Sequence, residues 1–418
     1  IEVQDGEVDS LSSAETRGVG VRVIAGGRQG YASTAAVTED ALSEALDEAR
    51  SNAAVATPDD ANGLPEVEEP ADVGDLVREA LLTTPVERKI ELARALEAAA
   101  RAVDPRVRGV DTAKYADAFV SAALVSTRGL ERSASSTDAW AYVMPLAVAG
   151  DETQTGLGLT MGREPDELDV DAAGRDGAQR ALRLLGATKP QSRRLPIVLD
   201  PYAAASFLGV LAAALSAEAV MKGRSLFAER MGDTGAAAVG DLVDDGLRPV
   251  GPATAPWDAE GVPQQRTSVI GGGVLRSYLH DTWSARRSGD GARSTGNASR
   301  AGFKSSPGIA PTNLYLEPGV LEVEAVLRDA GEALYVQDVV GLHSGANPVS
   351  GDVSVGVTGL MVRDGAFAEP VREATVATTL VDLLRGVVAV GADLRFFPFG
   401  GALGGSTVLV EQMTVAGR

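Results

Sequence analysis

Residues 206–220 read SFLGVLAAALSAEAV, a stretch with one charged side chain in fifteen positions. Leu208, Leu211 and Leu215 recur at spacings of three and four, which predicts a helix with a buried face. The stretch is shorter than the roughly 20 residues that an apolar helix needs to span a bilayer. It follows LPIVLDP (195–201), which has the pattern of a buried strand. We therefore expect a strand and a core helix at this point, and no membrane span.

Composition and charge limit the classes of function. The 418 residues are too many for one compact core and favour two domains. The 38 basic and 58 acidic residues give a formal net charge of −20, which repels phosphate backbones, so we expect no direct nucleic-acid partner. Because there is no cysteine, the chain has no disulfide, thiolate metal site or cysteine nucleophile. Without a recognisable targeting segment, we expect a cytoplasmic protein.

The N-terminal half alternates strand and helix signals and predicts an α/β domain over residues 1–190, with an antiparallel sheet and helices. A Val-rich alternating run, a Gly-Gly turn and a second run at 18–34 predict a hairpin. TPVE at 84–87 has the pattern of a capping box, with proline at the first helical position, for a helix that runs to Val103. The remaining signals predict a helix over about 38–52, an antiparallel meander over 106–162 and a helix over about 170–185.

The C-terminal half, residues 191–418, consists of short Val- and Leu-rich runs that Gly, Pro, Asn or Asp interrupts about every ten residues. This pattern is typical of a β-sandwich or barrel-like domain. The chain is therefore expected to be α+β, with an N-terminal α/β domain followed by a C-terminal antiparallel β-rich domain. Residues 284–319 are rich in Gly, Ser, Arg and Asn. We expect a loop whose donors suit an extended peptide or a carboxylate, with an ordinary solvated loop as the alternative.

No complete catalytic motif is present in the sequence. The two histidines, His280 and His343, lie far apart, and neither belongs to an H-E-x-x-H pair, which would place two zinc ligands on one helix. A metal site assembled from distant residues is the alternative to two polar loop histidines. Ser354, in DVSVG (352–356), resembles a nucleophile elbow. However, aspartate replaces the first glycine of that motif, and the residues lie in a strand pattern.

Several blocks of sequence together resemble the TldD/PmbA (TldE) family, over nearly the whole chain and in the family's order. They are GVGVRVIAGGRQGYAST (18–34), RSTGNASR (293–300), PTNLYLEPG (311–319), GANPVSGDVSVGVTGLMVRDGAFAEPV (345–371), VAVGADL (388–394) and STVLVEQMTVAGR (406–418). The resemblance implies an N-terminal α/β domain and a C-terminal domain of antiparallel sheets. It also implies one of two branches. In the TldD branch, a helix with H-E-x-x-x-H and a C-terminal cysteine bind zinc. TldE lacks these ligands, pairs with TldD and helps to enclose the chamber in which unfolded peptides are cut.

Aligning GRSLFAERMGDTGAAAVGDLVDDG (223–246) with the corresponding TldD pattern places the zinc motif on residues 208–213. Leu208 and Ala213 then occupy the two histidine positions, and Gly209 occupies the glutamate position. None of these three side chains can bind a metal or act as a base. The resemblance therefore implies a TldE/PmbA-like chain without a metal of its own, and zinc in a TldD-like partner.

The implied function is that of a non-catalytic subunit, which forms a heterodimer with a TldD-like zinc metallopeptidase and processes unfolded or precursor peptides. Four residues are expected to line the peptide site: His343, Asn347, Arg300 and Asn297. One alternative is a stand-alone homodimeric PmbA-like protein that binds peptides. Another is a hydrolase that tailors a natural product through His343 or Ser354.

Overall fold

The computed structural model describes residues 1–289, 291–398 and 402–418. Helices and strands occur in both halves of the chain, which confirms the α+β fold class. No helix in these ranges is long and apolar enough to cross a membrane. The described helices are α1 (Glu39–Val55), α2 (Glu79–Thr83), α3 (Val86–Arg101), α4 (Val170–Leu182), α5 (Pro201–Ala214), α6 (Ala217–Met221), α7 (Thr282–Ser288), α8 (Val323–Ala330), α9 (Leu342–Gly345) and α10 (Leu380–Arg385), with a 3-10 turn at Pro165–Glu167. The described strands are β1 (Glu2–Gln4), β2 (Glu7–Ser10), β3 (Val19–Ala25), β4 (Arg28–Thr34), β5 (Val107–Val125), β6 (Glu131–Ala149), β7 (Glu152–Thr155), β8 (Gly158–Gly162), β9 (Arg193–Leu199), β10 (Leu242–Asp245), β11 (Arg266–Gly271), β12 (Val274–Leu275), β13 (Ala298–Ser299), β14 (Gly308–Ile309), β15 (Asn313–Leu316), β16 (Ala333–Val340), β17 (Asp352–Arg363), β18 (Ala366–Thr379), β19 (Val387–Val390), β20 (Arg395–Phe397), β21 (Ala402–Gly405) and β22 (Val408–Ala416).

The sheet of the N-terminal half is antiparallel, in the order β2-β1-β5-β6-β7, with β8 also paired to β6. Helices α3 and α4 pack on one face of it, where odd-numbered residues of β6 such as Ala141 and Val143 are buried. The packing is close, because a Cβ at Gly158 of β8 would lie 1.9 Å from the carbonyl oxygen of Ala173 in α4. Only glycine fits there. Even-numbered side chains of β6 point to the opposite face, and several remain accessible.

A separate hairpin, β3-β4, carries α1 on one face. Thr38 caps α1, because its side chain accepts a hydrogen bond from the backbone N–H of Ala41. Both elements confirm the sequence prediction. Arg22 of β3 forms an ion pair with Glu260 at 2.6 Å, and the hydroxyl of Tyr31 donates to a backbone carbonyl of the C-terminal half at 2.5 Å. These contacts attach the hairpin to the C-terminal half.

Helix α5 lies between two six-stranded sheets of the C-terminal half. One sheet has the order β12-β11-β10-β15-β21-β20, and the other has the order β18-β17-β16-β9-β22-β19. In the second sheet β18 also pairs with the end of β22, so that β18, β17, β16, β9 and β22 close into a ring. Helix α5 contacts strands of both sheets, and its buried residues share one hydrophobic core with them. The predicted strand at 195–201 corresponds to β9.

The stretch 206–220 is two helices, which corrects the prediction of one. Helix α5 ends before Leu215, and α6 begins at Ala217 with Ser216 as its N-cap. The break occurs because Leu279 pairs with the chain at this point. Its N–H donates to the carbonyl oxygen of Leu215 at 2.9 Å, and its carbonyl accepts the N–H of Ala217 at 3.0 Å. Local leucine spacing carries no information about this distant partner.

The predicted capping box before α3 is also wrong. Pro85 occupies the N-cap position of α3, and no side chain caps the helix. The hydroxyl of Thr84 instead donates to the carbonyl oxygen of Ala80 at 2.6 Å. The reason is that α2 comes immediately before α3 and its last turn takes the threonine. Helix α3 ends at Arg101 rather than at Val103.

The segment 284–319 contains more regular structure than the predicted loop. It includes most of α7, the ribbon β13-β14 and strand β15. Buried polar contacts order it; for example, the N–H and hydroxyl of Thr312 donate to Asp244 at 2.7 and 3.0 Å. Such contacts leave no apolar periodicity in the sequence.

The strand pairs β9-β16 and β15-β21 are parallel, whereas the sequence predicts antiparallel pairing.

One buried ion pair joins the two halves of the chain. Arg180 of α4 donates from both terminal nitrogens to Asp200, at 2.7 and 2.9 Å. Asp200 also accepts the backbone N–H of Tyr202, as the N-cap of α5, and the hydroxyl of Tyr335 from β16. Burial by itself raises the pKa of Asp200. The charge and hydrogen bonds of Arg180 outweigh burial and hold that pKa below its usual value.

We expect Asp200→Asn to lower the free energy of unfolding by about 3 kcal/mol, because it leaves the buried charge of Arg180 without a partner. Asp176→Asn is the matched control. It breaks a partly exposed pair with Arg395 and should cost about 1 kcal/mol or less. Urea unfolding at pH 7 measures both losses, and equal losses would contradict the role of this pair.

The effect of Asp200→Asn should depend on pH. The folded pKa of Asp200 lies below its unfolded value of about 4. Its stabilising contribution is therefore present above that unfolded value and is lost as the pH falls through the folded pKa. The difference in stability between the wild type and Asp200→Asn should narrow when the same unfolding curves are recorded at acid pH.

Candidate functional site on helix α5

One face of α5 is accessible although the helix lies between two sheets. Its partly or fully exposed residues are Tyr202, Ser206, Gly209, Val210 and Ala213. Their spacing places them along one side of the helix, and we call these five residues the α5 stripe. The remaining residues of α5 are buried. The α5 stripe is therefore the surface that this central helix offers to a ligand or a partner.

The three positions where the resemblance places a zinc motif differ in exposure. Gly209 and Ala213 belong to the α5 stripe, whereas Leu208 is in the core with 4% of its surface exposed. A Cβ at Gly209 would lie 3.1 Å from Cδ1 of Leu403, so even a methyl group would be tight there. None of the three has a metal-binding atom. The described residues contain no group of three or more His, Cys, Asp or Glu side chains that could hold a metal ion.

A cavity of about 310 Å³ opens beside the first turn of α5. Tyr202 contributes to one wall, and Trp140 and Tyr142 from the accessible side of β6 contribute to another. Asp338 of β16 also lines this cavity, and burial raises the pKa of that carboxyl above its ordinary value. Sequence reasoning misses these residues because they come from both halves of the chain and share no local motif.

His343 and Asn347 both lie in or just after the short helix α9. His343 is exposed on α9, a short helix that contacts α5. The exposed Asn347 follows α9, and its Oδ1 accepts the backbone N–H groups of Val349 at 2.8 Å and Ser350 at 3.3 Å. The structure thus places His343 on an element that contacts the central helix, while contact of either residue with a peptide stays a prediction.

Asn297 is buried, with 1% of its surface exposed. Its Nδ2 donates to Asp244 at 2.7 Å and to the carbonyl oxygen of Ala310 at 3.0 Å. Its Oδ1 accepts the hydroxyl of Thr295 at 2.6 Å. Burial raises the pKa of Asp244 to about 6, and the hydrogen bond from Asn297 favours the ionised form of that carboxyl. In this structure the Asn297 side chain serves internal contacts.

Arg300 lines a second cavity, of about 370 Å³, between β3 and the end of the β5-β6 hairpin. Its Nη1 donates to the hydroxyl of Tyr31 and to the carbonyl oxygen of Ser305, both at 3.3 Å, and its guanidinium lies 5.7 Å from the centre of the Tyr31 ring. Within the described ranges, no hydrogen bond or ion pair links Arg300 with His343. The lining of this cavity does not include His343, Asn347 or Asn297, and contact of the four residues with one peptide stays a prediction.

Neither histidine forms a serine-type catalytic pair in the described residues. His280 lies with Nδ1 3.2 Å from Oγ of Ser284, but that serine is fully buried and belongs to the capping box of α7. Ser354 is exposed within β17, opposite Ala377 of β18. A nucleophile elbow requires a strand-to-helix turn, and Ser354 does not lie on one.

Three family models match the chain in order. They are the PmbA/TldA metallopeptidase domain 1 (residues 1–53), central domain (79–185) and C-terminal domain (192–417). The last model alone spans more than half of the chain and includes all of α5. The chain belongs to the PmbA/TldD family. This finding confirms the resemblance drawn from the sequence blocks.

Proteins from other organisms match almost the whole chain. The Metalloprotease PmbA homolog of Haemophilus influenzae is 27% identical over 421 residues, which cover 99% of this chain and 88% of that protein. A putative modulator of a DNA gyrase from Thermotoga maritima has a structure with a TM-score of 0.91 and 26% identity, covering 99% of this chain and 92% of that one. TldE from Thermococcus kodakarensis has the same fold, with a TM-score of 0.87 and 21% identity over 95% of this chain and 89% of that one.

We expect Asn297→Ala to lower the free energy of unfolding by about 2 kcal/mol, because Asp244 loses a buried hydrogen-bond donor. The loss should be larger at pH 8 than at pH 5. Burial raises the folded pKa of Asp244 to about 6, above its unfolded value of about 4. The contribution of Asp244 to the free energy of unfolding is therefore most favourable where this carboxyl is protonated and falls as it ionises with rising pH. Asn297→Ala removes a donor to the ionised form, so its cost increases over the same pH range.

Chemical unfolding at both pH values measures the effect of Asn297→Ala. Asn52→Ala is the control, because it removes an exposed hydrogen bond to the carbonyl oxygen of Tyr31 and should cost under about 1 kcal/mol at either pH. Unchanged stability combined with weaker peptide binding would show that Asn297 lines a ligand site instead.

Proposed function

We propose that this chain is the non-catalytic, TldE/PmbA-like subunit of a peptide-processing heterodimer, and that its partner is a TldD-like zinc metallopeptidase. One observation carries the proposal. At the positions aligned with the zinc motif, α5 has Gly209 and Ala213 on its accessible face and Leu208 in the core. These residues supply surface shape without a metal ligand or a general base.

The roles of the two subunits follow from the absence of these groups at the three positions. A zinc ion in the partner would supply the activation of water for attack on a peptide bond, and a glutamate of the partner would serve as the general base. The partner would provide both groups. This chain would provide a second wall of the chamber, with the α5 stripe, His343 and Asn347 facing an unfolded or precursor peptide. We place the pair in the cytoplasm as part of the same proposal.

Two further findings support the proposal. The fold matches that of a protein named TldE, the branch that the sequence resemblance pairs with a zinc peptidase. The net charge of −20 disfavours direct contact with nucleic acid, although one structural relative is titled a putative modulator of a DNA gyrase. A role in peptide processing is consistent with both.

The purified chain alone should contain no stoichiometric zinc by elemental analysis and should not cleave β-casein, an unfolded substrate. After co-expression with a TldD-type paralogue that carries the complete zinc motif, size exclusion with light scattering should show a mixed dimer that contains zinc and cleaves casein. Zinc binding or cleavage by the chain alone would overturn the proposal. A stable homodimer that never mixes with the paralogue would favour the stand-alone peptide-binding protein.

The double variant His343→Ala with Ser354→Ala tests the remaining alternative, a hydrolase that uses these side chains. In the reconstituted heterodimer we expect kcat for casein peptides to stay within about twofold of the wild type, because neither residue belongs to a catalytic pair among the described residues. A catalytic acid, base or nucleophile would cost at least about 100-fold. A loss of that size in kcat would assign the chemistry to this chain.

A further inference from the structure

The cavity beside the first turn of α5 has aromatic side chains and one carboxylate in its lining. Trp140, Tyr142 and Met144 are even-numbered residues of β6 and lie on the face of the N-terminal sheet that α3 and α4 leave uncovered. Tyr202 of α5 and Asp338 of β16 line the cavity from the C-terminal half. Its volume of about 310 Å³ is at the small end of the range for ligand sites. It has room for one long side chain.

Asp338 forms no ion pair among the described residues, although the charge of Arg180 in the same cavity partly offsets the effect of burial on its pKa. Its only hydrogen bond there is from the neighbouring backbone N–H of Val339, at 2.8 Å, and no cation lies within ion-pair distance of it. Burial raises the pKa of this carboxyl, which means that the ionised form is poorly solvated. A positively charged group brought into the cavity would relieve this cost.

The arginine nearest to the cavity is already paired. Arg180 lines the cavity, but its two terminal nitrogens bind Asp200 at 2.7 and 2.9 Å, and one of them also donates to the carbonyl oxygen of Gln337 at 3.2 Å. Its charge is therefore committed to the contact that joins the two halves. Arg183 likewise faces Asp200, at 3.9 Å, and lies over the ring of Tyr335. Asp338 remains available to a ligand.

The lining also suits the rest of such a ligand. A lysine or arginine side chain has an apolar stem of three or four methylenes and a charged end. Met144 can pack against the stem, and the rings of Trp140 and Tyr142 provide faces for a cation. We propose that this cavity binds the lysine or arginine side chain of a peptide held along the α5 stripe. The peptide nature of the ligand rests on the proposed function, whereas the preference for a cation rests on the cavity.

The position of the cavity gives the proposal a geometric consequence. Tyr202 begins the α5 stripe and Ala213 ends it, so the two are separated by about 16 Å along the helix axis. An extended peptide covers this distance with about five residues. The basic residue of a bound peptide would therefore lie about five residues along the peptide from the peptide residue that is beside Ala213.

Fluorine NMR of the isolated full chain tests the cavity directly. The sequence has three tryptophans, and after 5-fluorotryptophan labelling Trp140 reports on the cavity, while Trp257 and Trp283 serve as internal references. Titration with Nα-acetyl-lysine methylamide should shift the Trp140 signal in a saturable way. The norleucine analogue has a similar stem and no charge, and it should bind at least tenfold more weakly. Equal binding of the two probes, or a Trp140 signal that responds to neither, would overturn the proposal.

A pair of variants locates the charge that is responsible. Asp338→Asn keeps an oxygen that can accept the Val339 N–H but removes the charge, and it should weaken binding of the lysine probe at least tenfold. Asp138→Asn is the control, because Asp138 lies on the same face of β6 in an adjacent cavity and forms an ion pair with Arg163 at 3.5 Å. Unchanged affinity in Asp338→Asn would contradict the proposal. Because the experiment uses no peptidase partner, its failure would leave the heterodimer proposal standing, and the reverse also holds.

Discussion

Among the contacts that join the two halves, the pair of Arg180 and Asp200 is the most deeply buried ion pair in the described residues. One carboxylate caps α5, accepts the hydroxyl of Tyr335 and binds the arginine of α4. Loss of either charge while the other stays buried would be strongly unfavourable. Helix α5 is therefore fixed relative to the N-terminal sheet. Its accessible face and the cavity at its first turn keep one geometry as a result.

Periodicity predicts the elements that bury their faces locally. The hairpin at 18–34 and helix α1 are found because each packs against its sequence neighbour, and alternation or helical spacing records that packing. Periodicity fails to predict the structure where contacts with a distant residue determine it. Leu279 divides the stretch 206–220, and Asp244 orders a polar segment that has no apolar pattern. Buried hydrogen bonds between distant residues leave no periodic trace in a sequence.

The residues of the candidate site were also hard to predict, because sequence patterns do not reveal contacts between distant residues. Gly209 and Ala213 draw attention only through the resemblance to a family, because small apolar residues have no chemical signature of their own. Trp140 and Asp338 are almost 200 residues apart, so no spacing rule could join them in one cavity. Asn297 is the opposite case: its glycine-rich surroundings indicate a surface position, whereas a buried carboxylate takes the side chain into the interior.

The ring of five strands, closed where β18 meets β22, matters for any protein that handles unfolded chains. An open strand edge offers unpaired N–H and C=O groups to every extended polypeptide that comes near. Over the three residue pairs that join β18 to β22 these groups are satisfied by the neighbouring strand, whereas β19 keeps one open edge in the same sheet. These two strands therefore expose less free backbone to an extended polypeptide than an open sheet edge would, which lowers the tendency of this part of the sheet to aggregate.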